Sequence, residues 1–349
     1  MADWFQRLFP SSFALMAGPC SAESEEQVMA TATALQRMDI GLFRAGVWKP
    51  RTRPGGFEGM GEAALPWLAR VKNELGLRVA IEVATPRHAE LALQYGIDAF
   101  WIGARTTTNP FAVQEIADAL RGSDIPVFVK NAMVPDVKLW CGAIERLKNS
   151  GVNNLAAVHR GFGVLEETTF RNSPVWRIPI ELRRQMPEIP LLCDPSHIAG
   201  RTDLVELVAR QAVDMGFSGL MVEVHNDPCN ALSDSEQQLT PEMLEHMMKV
   251  LDIKQRAIVK DAELLHLRAE IDQHDTELFR LLAERMEIVR KVGELKQREG
   301  TPVLQPQRYN QILQRRMKEA ASLGLSEDFV KQVMELIHEE AVCQQLSKK

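Results

Sequence analysis

Little in this 349-residue chain marks it for a membrane, a nucleic acid or an oxidising compartment. No apolar run approaches the roughly 18 residues of a membrane span. The apolar stretch before Cys20, Phe13–Gly18, is too short for a secretion signal and follows Asp3 and Pro10. No basic block stands out and the formal net charge is −6, which argues against a nucleic-acid partner. The five cysteines, Cys20, Cys141, Cys193, Cys229 and Cys343, are odd in number and form no C-x-x-C pair. That points away from a disulfide framework and toward a reducing cytoplasm, where a cysteine matters as a thiolate. No glycine-rich dinucleotide fingerprint follows an early strand, which weighs against a doubly wound open sheet.

What is present is a repeat of short apolar runs and helical stretches. Strand-like runs fall at Phe13–Ala17, Gly41–Ala45, Arg78–Val83, Ala99–Gly103, Pro126–Val129, Asn154–Val158, Pro190–Cys193 and Gly219–Val224. Helical periodicity fills most of the gaps, as in Ser24–Met38, Gly61–Leu75, Pro86–Tyr95, Pro110–Leu120, Val137–Asn149 and Asp203–Met215. Such β-α units, spread over about 240 residues, predict an α/β fold of the (β/α)8 TIM-barrel type.

The strands end in polar residues. Gly18-Pro19-Cys20-Ser21 follows the first, Arg44 and Lys49-Pro50-Arg51-Thr52 the second, and Glu82 closes the third. Arg105, Lys130, His159-Arg160, Asp194-Pro195-Ser196-His197 and Glu223-Val224-His225 follow in turn, and the loop after Glu223 delivers Asp234. In a barrel these ends converge on the face where catalysis occurs. So many cations in one concavity are costly unless an anion sits among them, with phosphate and carboxylate groups as the candidates. A cysteine, a histidine and two carboxylates form a mixed donor set for a borderline divalent metal, Mn2+, Fe2+, Co2+ or Zn2+, rather than a closed structural site. Glu82 and His159, taken alone, read as ordinary strand-end residues.

Taken together, Gly18-Pro19-Cys20-Ser21, Lys49-Pro50-Arg51-Thr52, Ile102-Gly103-Ala104-Arg105, Lys130-Asn131, His159-Arg160-Gly161, Asp194-Pro195-Ser196-His197 and Glu223-Val224-His225 resemble the 3-deoxy-D-arabino-heptulosonate 7-phosphate synthases. The short subtype is the one resembled, related to the 3-deoxy-D-manno-octulosonate 8-phosphate synthases, and the resemblance covers most of residues 13–248. It implies Cys20, His197, Glu223 and Asp234 as ligands of one divalent metal. It also implies Arg44, Lys49, Arg105, Lys130 and Arg160 as the phosphoenolpyruvate cations, with Lys130 catalytic, and Arg51 with Thr52 on erythrose 4-phosphate. The Lys-Pro-Arg-Thr motif speaks for the heptulosonate enzyme; an octulosonate-phosphate synthase is the alternative.

Thr240-Pro241-Glu242 starts a helix that closes the barrel, and no Gly/Ser-rich linker follows. The division is placed at 1–252 and 253–349. The excess of acidic residues falls entirely before residue 256, and residues 256–349 carry 16 of each sign. From about Ala257 to Arg298 only Gly293 interrupts a run free of glycine and proline, which predicts one helix of about 60 Å. Two more helices are expected at Pro306–Leu323 and Ser326–Leu346. Three helices with one this long call for a second copy, giving a homodimer through the helical region. Arg285 and Lys296 share a helix face, whereas Arg268 lies more than about 20 Å away along the axis; in an antiparallel dimer Arg268 of one chain would complete the other chain's site.

Leu267-Arg268, Ile271-Asp272, Leu281-Leu282-Ala283-Glu284-Arg285, Val292-Gly293-Glu294-Leu295-Lys296, Arg308 and Ala341-Val342-Cys343-Gln344-Gln345 resemble the all-helical chorismate mutases. The resemblance implies Arg268 (from the partner), Arg285 and Arg308 on the two carboxylates of chorismate, and Lys296 and Gln345 as catalytic groups on the ether oxygen during rearrangement to prephenate. Gln305 and Tyr309 replace the usual Asp and Glu, and Ala341 a common Ser. The alternative is a catalytically silent helical domain for dimerisation and ligand sensing. Synthases of the resembled family often carry an extra domain that senses an end product, and the appended module here resembles one that binds chorismate and prephenate, so either is expected to inhibit the barrel.

Overall fold

In the computed structural model, residues 3–11, 13–50, 55–165, 168–251 and 262–346 are described. The chain separates into two compact units, Met1–Gln255 and Arg256–Lys349. Arg51 and Thr52, and the division placed at 252/253, lie outside the described residues.

The first unit is a closed barrel of eight parallel strands. They are β1 (Ala14–Gly18), β2 (Leu42–Arg44), β3 (Val79–Glu82), β4 (Ala99–Ile102), β5 (Val127–Lys130), β6 (Leu155–His159), β7 (Leu191–Cys193) and β8 (Gly219–Glu223). Each expected strand is found, and the seam closes with Gly18 opposite Glu223. Helices between the strands start on side-chain caps: Ser24, Thr85, Asn109, Asp136 and Thr240 each accept from a backbone N–H of the first turn, satisfying donors that a helix leaves open.

Side chains alternate along each strand, and that parity builds the barrel interior. Met16, Leu42, Ala80, Phe128, Val158, Leu192 and Met221 share one buried cluster. Two residues further along most of these strands stand the polar groups Arg44, Glu82, Lys130, Arg160, Asp194 and Glu223. The helix Asp3–Leu8 closes the opposite end, packing Phe5, Leu8 and Phe9 into the same cluster. Its Trp4 meets the Phe128 ring edge-on at 6.3 Å between centroids. The other parity faces the helical layer, whose buried cluster includes Phe43, Ile81, Phe100 and Val129.

The helical unit contains Ala262–Arg298, Pro306–Ala320 and Glu327–Leu346. The first, 37 residues long, spans about 55 Å at the α-helical rise. No helix among the described residues is long and apolar enough to cross a membrane.

Candidate active sites

Arg44, Lys130 and Arg160 project from β2, β5 and the end of β6 and are all under a tenth exposed. Trp101 of β4 forms the floor beneath them. Arg44 lies 4.8 Å and Lys130 5.8 Å from its ring centroid, cation–π contacts in a desolvated setting. The indole N–H donates to Glu82 Oε2 at 3.2 Å. Glu82 thus belongs to the site rather than to a neutral strand end. The cavity above this floor is lined by Lys49, Glu82, Arg105, Lys130, Arg160, Arg171, His197 and Asp234. A wider groove, about 1120 Å³, lies elsewhere, between the helices Glu25–Leu35 and Pro241–Val250.

Beside these cations sit the expected metal ligands. One ligand atom each of Cys20, Glu223 and Asp234 lies within 4.8 Å of the others. Cys20 Sγ is 3.2 Å from Asp234 Oδ2. His197 joins the group through Glu223, with Nε2 at 3.7 Å from Oε1. Asp234 takes a left-handed backbone conformation, φ 47°, which a short polar side chain tolerates better than most. Asp194 both caps its own helix, accepting from the His197 N–H at 3.0 Å, and holds Lys130 Nζ at 2.7 Å and His197 Nδ1 at 2.8 Å with Oδ2.

The charges are set by burial and by one another. Burial alone would raise the Asp194 carboxyl, but His197, Lys130 and Arg44 hold it well below its ordinary value. Burial works against the charged form of Glu223 too, and His197, Arg44 and Lys49 outweigh it, keeping the group low. Burial, with Glu223 next, pushes the Cys20 thiol up to about 12. Lys49 Nζ donates to Cys20 Sγ at 2.9 Å. Burial lowers Lys130 and brings Arg160 down to about 10.

This donor set fits a metal. Glu223 Oε1 is buried and accepts no hydrogen bond among the described residues, although Arg44 Nη2 lies 3.1 Å away. A thiol, an imidazole and two carboxylates suit a borderline divalent ion.

Two residues fall differently from their sequence neighbours. His159 has the outward parity and is fully buried among Trp140, Phe162, Trp176 and Phe217, where burial and then Arg160 bring its pKa down to about 3. It is a neutral layer residue, not part of the cation ring. Arg171, which no strand-end pattern would single out, reaches the site from the loop after β6 and donates to Asp234 Oδ1 at 3.0 Å. Only an alignment of loop positions in space reveals it.

In the helical unit Arg285 Nη1 and Gln345 Oε1 are both buried without a hydrogen-bond partner among the described residues. Gly293 lets the helix Glu327–Leu346 approach, since a Cβ there would come within 3.0 Å of Gln345 Cγ. Lys296 Nζ donates to the Val303 carbonyl at 2.7 Å. Tyr309 stacks on His338, ring centroids 4.1 Å apart. Burial lowers the His338 pKa, and Arg285 and Lys296 lower it further. Arg308 is exposed, and Arg268 is exposed on the long helix, 17 residues before Arg285 and so about 25 Å from it along the axis. The structure does not bring Arg268 to Arg285 within one chain.

Residues 10–259 match the family model described as DAHP synthetase I family, and residues 267–346 the one described as chorismate mutase type II. A phospho-2-dehydro-3-deoxyheptonate aldolase of Thermotoga maritima is 33% identical over 244 residues, 69% of this chain and 70% of that protein. A 2-dehydro-3-deoxyphosphooctonate aldolase of Desulfatibacillum aliphaticivorans is 31% identical, over 68% of this chain and 90% of its own. A crystal structure of the Thermotoga maritima DAHP synthase superposes with a TM-score of 0.62 at 30% identity, covering 68% of each chain. Synthases of this family generally depend on a metal. The chain belongs to the DAHP synthetase I family and, with a chorismate mutase type II domain after its barrel, is a bifunctional transferase and isomerase.

Proposed function

We propose that the barrel condenses phosphoenolpyruvate with erythrose 4-phosphate and that the helical domain rearranges chorismate to prephenate. The observation that carries the first reading is the set of buried cations, Arg44, Lys130 and Arg160, packed beside the Cys20–Glu223–Asp234 cluster. Arg44, Lys49, Arg105, Lys130 and Arg160 would hold the carboxylate and phosphate of phosphoenolpyruvate, a dianion or more in a dry site where such contacts are strong. Lys130, anchored by Asp194 at 2.7 Å and lowered by burial, would give or take a proton at Nζ as water adds to the carbon bearing phosphate and phosphate departs. Arg51 and Thr52 would bind erythrose 4-phosphate. Cys20, His197, Glu223 and Asp234 would hold one divalent metal, which supplies Lewis-acid polarisation of the aldehyde.

For the mutase, Arg285 and Arg308 with Arg268 of a second copy would clamp the two carboxylates, and Lys296 with Gln345 would stabilise charge growing on the ether oxygen. No nucleophile is needed, only orientation and electrostatics. The homodimer this requires is supported by the exposed apolar residues of the long helix, including Leu278, Phe279 and Ile288. Chorismate or prephenate bound there would inhibit the synthase if it favours the less active arrangement.

The octulosonate reaction is favoured by one observation, the likeness to octulosonate aldolases. Phosphate release from phosphoenolpyruvate with erythrose 4-phosphate or with arabinose 5-phosphate separates the two. Preference for the five-carbon sugar overturns the heptulosonate reading.

A further inference from the structure

The loop after β8 carries two adjacent buried glutamines, Gln237 and Gln238, 1% and 0% exposed, that bind neither substrate nor metal in the reading above. Their amides work in opposite directions. Gln237 Nε2 donates to Glu223 Oε2 at 2.7 Å, and Gln237 Oε1 accepts from Arg171 Nη1 at 2.7 Å. The same arginine nitrogen donates to Asp234 Oδ1 at 3.0 Å. Gln238 Oε1 accepts from the backbone N–H of Cys20 at 2.9 Å, and Gln238 Nε2 donates to the Ser233 carbonyl, just before Asp234, at 2.9 Å.

The arrangement selects between the two oxygens of each carboxylate. On Glu223, Oε2 is tied to Gln237, while Oε1 accepts no hydrogen bond among the described residues and faces His197 Nε2 at 3.7 Å, with Arg44 Nη2 as its ion-pair partner at 3.1 Å. On Asp234, Oδ1 is tied to Arg171 while Oδ2 faces Cys20 Sγ at 3.2 Å. Arg171 is itself pinned. Its backbone N–H donates to Ala199 O at 3.3 Å, and the neighbouring Asn172 Nδ2 donates to the carbonyl of His197 at 2.6 Å. Gly200, at φ +74°, leaves the room this needs, since a Cβ there would lie 2.3 Å from Arg171 Cβ. All four expected ligands are thus braced by one network drawn from three separate strand-end loops.

We propose that Gln237, acting through Glu223 and Arg171 and seconded by Gln238, is the positioning residue of the metal site, presenting one oxygen of each carboxylate and withholding the other. The inference rests on the reading that Cys20, His197, Glu223 and Asp234 hold a metal. Outer partners of metal ligands commonly change affinity by about 10–100-fold.

The test is Mn2+ titration of the intact, chelator-stripped chain, following free Mn2+ by electron paramagnetic resonance, with mutase turnover and the melting of the metal-free protein as checks on folding. Gln237→Met keeps the side-chain length and removes both hydrogen bonds of the amide; its Kd should rise by about 10–100-fold with mutase turnover unchanged. Arg171→Met, at a half-exposed position, should raise the Kd by a smaller factor, and it carries the test if Gln237→Met fails to fold. A Kd within twofold of wild type in the folded variants overturns the proposal. Equal Mn2+ binding by wild type and Cys20→Ser would instead remove the metal site itself, a different and recognisable failure.

Discussion

The barrel unit buries its apolar side chains within one chain, from Phe5 beneath the strands to Met247 on the closing helix, whereas the helical unit buries only Met286, Ala320 and Ala341 among its described hydrophobic residues. Leu278, Phe279, Leu281, Ile288, Leu295 and Leu336 are exposed instead. The electrostatics follow the same division. In the barrel the candidate metal ligands and most of the substrate cations meet in one chain, while Arg268 and Arg285 stand about 25 Å apart on one helix. A barrel closes on itself and makes its own interior; a long helix with two shorter partners cannot cover its own length. The candidate metal ligands of the barrel converge within one chain, whereas the proposed mutase site would draw Arg268 from a second copy.

The sharpest break between the units is chemical. Chelation or Cys20→Ser should reduce synthase turnover by about a thousandfold or more, because the metal provides several kcal/mol of charge stabilisation, while mutase turnover stays at wild type. Separate assays on one preparation check it; joint loss would show that the units are not chemically independent. Next, Arg285→Ala and Arg268→Ala should each lower mutase turnover by about 10²–10³-fold, the usual cost of one preorganised donor. Mixed and allowed to exchange, the two variants should recover up to about a quarter of wild-type specific activity, since one hybrid site keeps both arginines in a two-fold dimer. No recovery on verified exchange would place the site within one chain.

Stability sharpens the comparison further. Phe128→Ala, in the barrel interior, should cost about 3–5 kcal/mol at any protein concentration. Leu281→Ala, 55% exposed in the single chain, should cost under about 0.5 kcal/mol if the helices stand alone, and about 2–5 kcal/mol if a second copy covers it. The second result is expected, with a melting temperature that falls on dilution, measured by circular dichroism. The smallest effect is regulatory. Prephenate should slow the synthase of the intact chain with a coupling of about 1–3 kcal/mol, and Arg285→Ala should abolish that response without changing the uninhibited rate. Equal inhibition of the variant would indicate competition at the barrel site.

Much of the fold and of the candidate site is legible in the sequence. The eight strands follow from short apolar runs set between helical stretches, and the polar groups at their ends from the residues that close those runs; the parity of side chains along a strand separates Arg160 from its neighbour once the strand is placed. His159 has the outward parity, and the structure buries it in the helical layer rather than in the cation ring. Trp101 as the floor is legible by the same rule, since it alternates with Ala99; the short helices Ala104–Thr107, Pro195–Ala199 and Arg177–Gln185 were not, because segments of 4, 5 and 9 residues carry too little periodicity to register.

The sequence by itself determined the barrel, the helical region and the identity of most charged groups, because strand parity, helix caps and residue chemistry are local properties. Tertiary structure decided which atoms of those groups face one another. Arg171 meets Asp234 across 63 residues, and Gln238 meets the Cys20 backbone across 218. No local rule couples positions so far apart; the closure of the barrel brings their loops together at one end. Which oxygen of Glu223 is tied and which is left is likewise set by an amide 14 residues on, delivered by a loop whose path depends on the whole ring of strands.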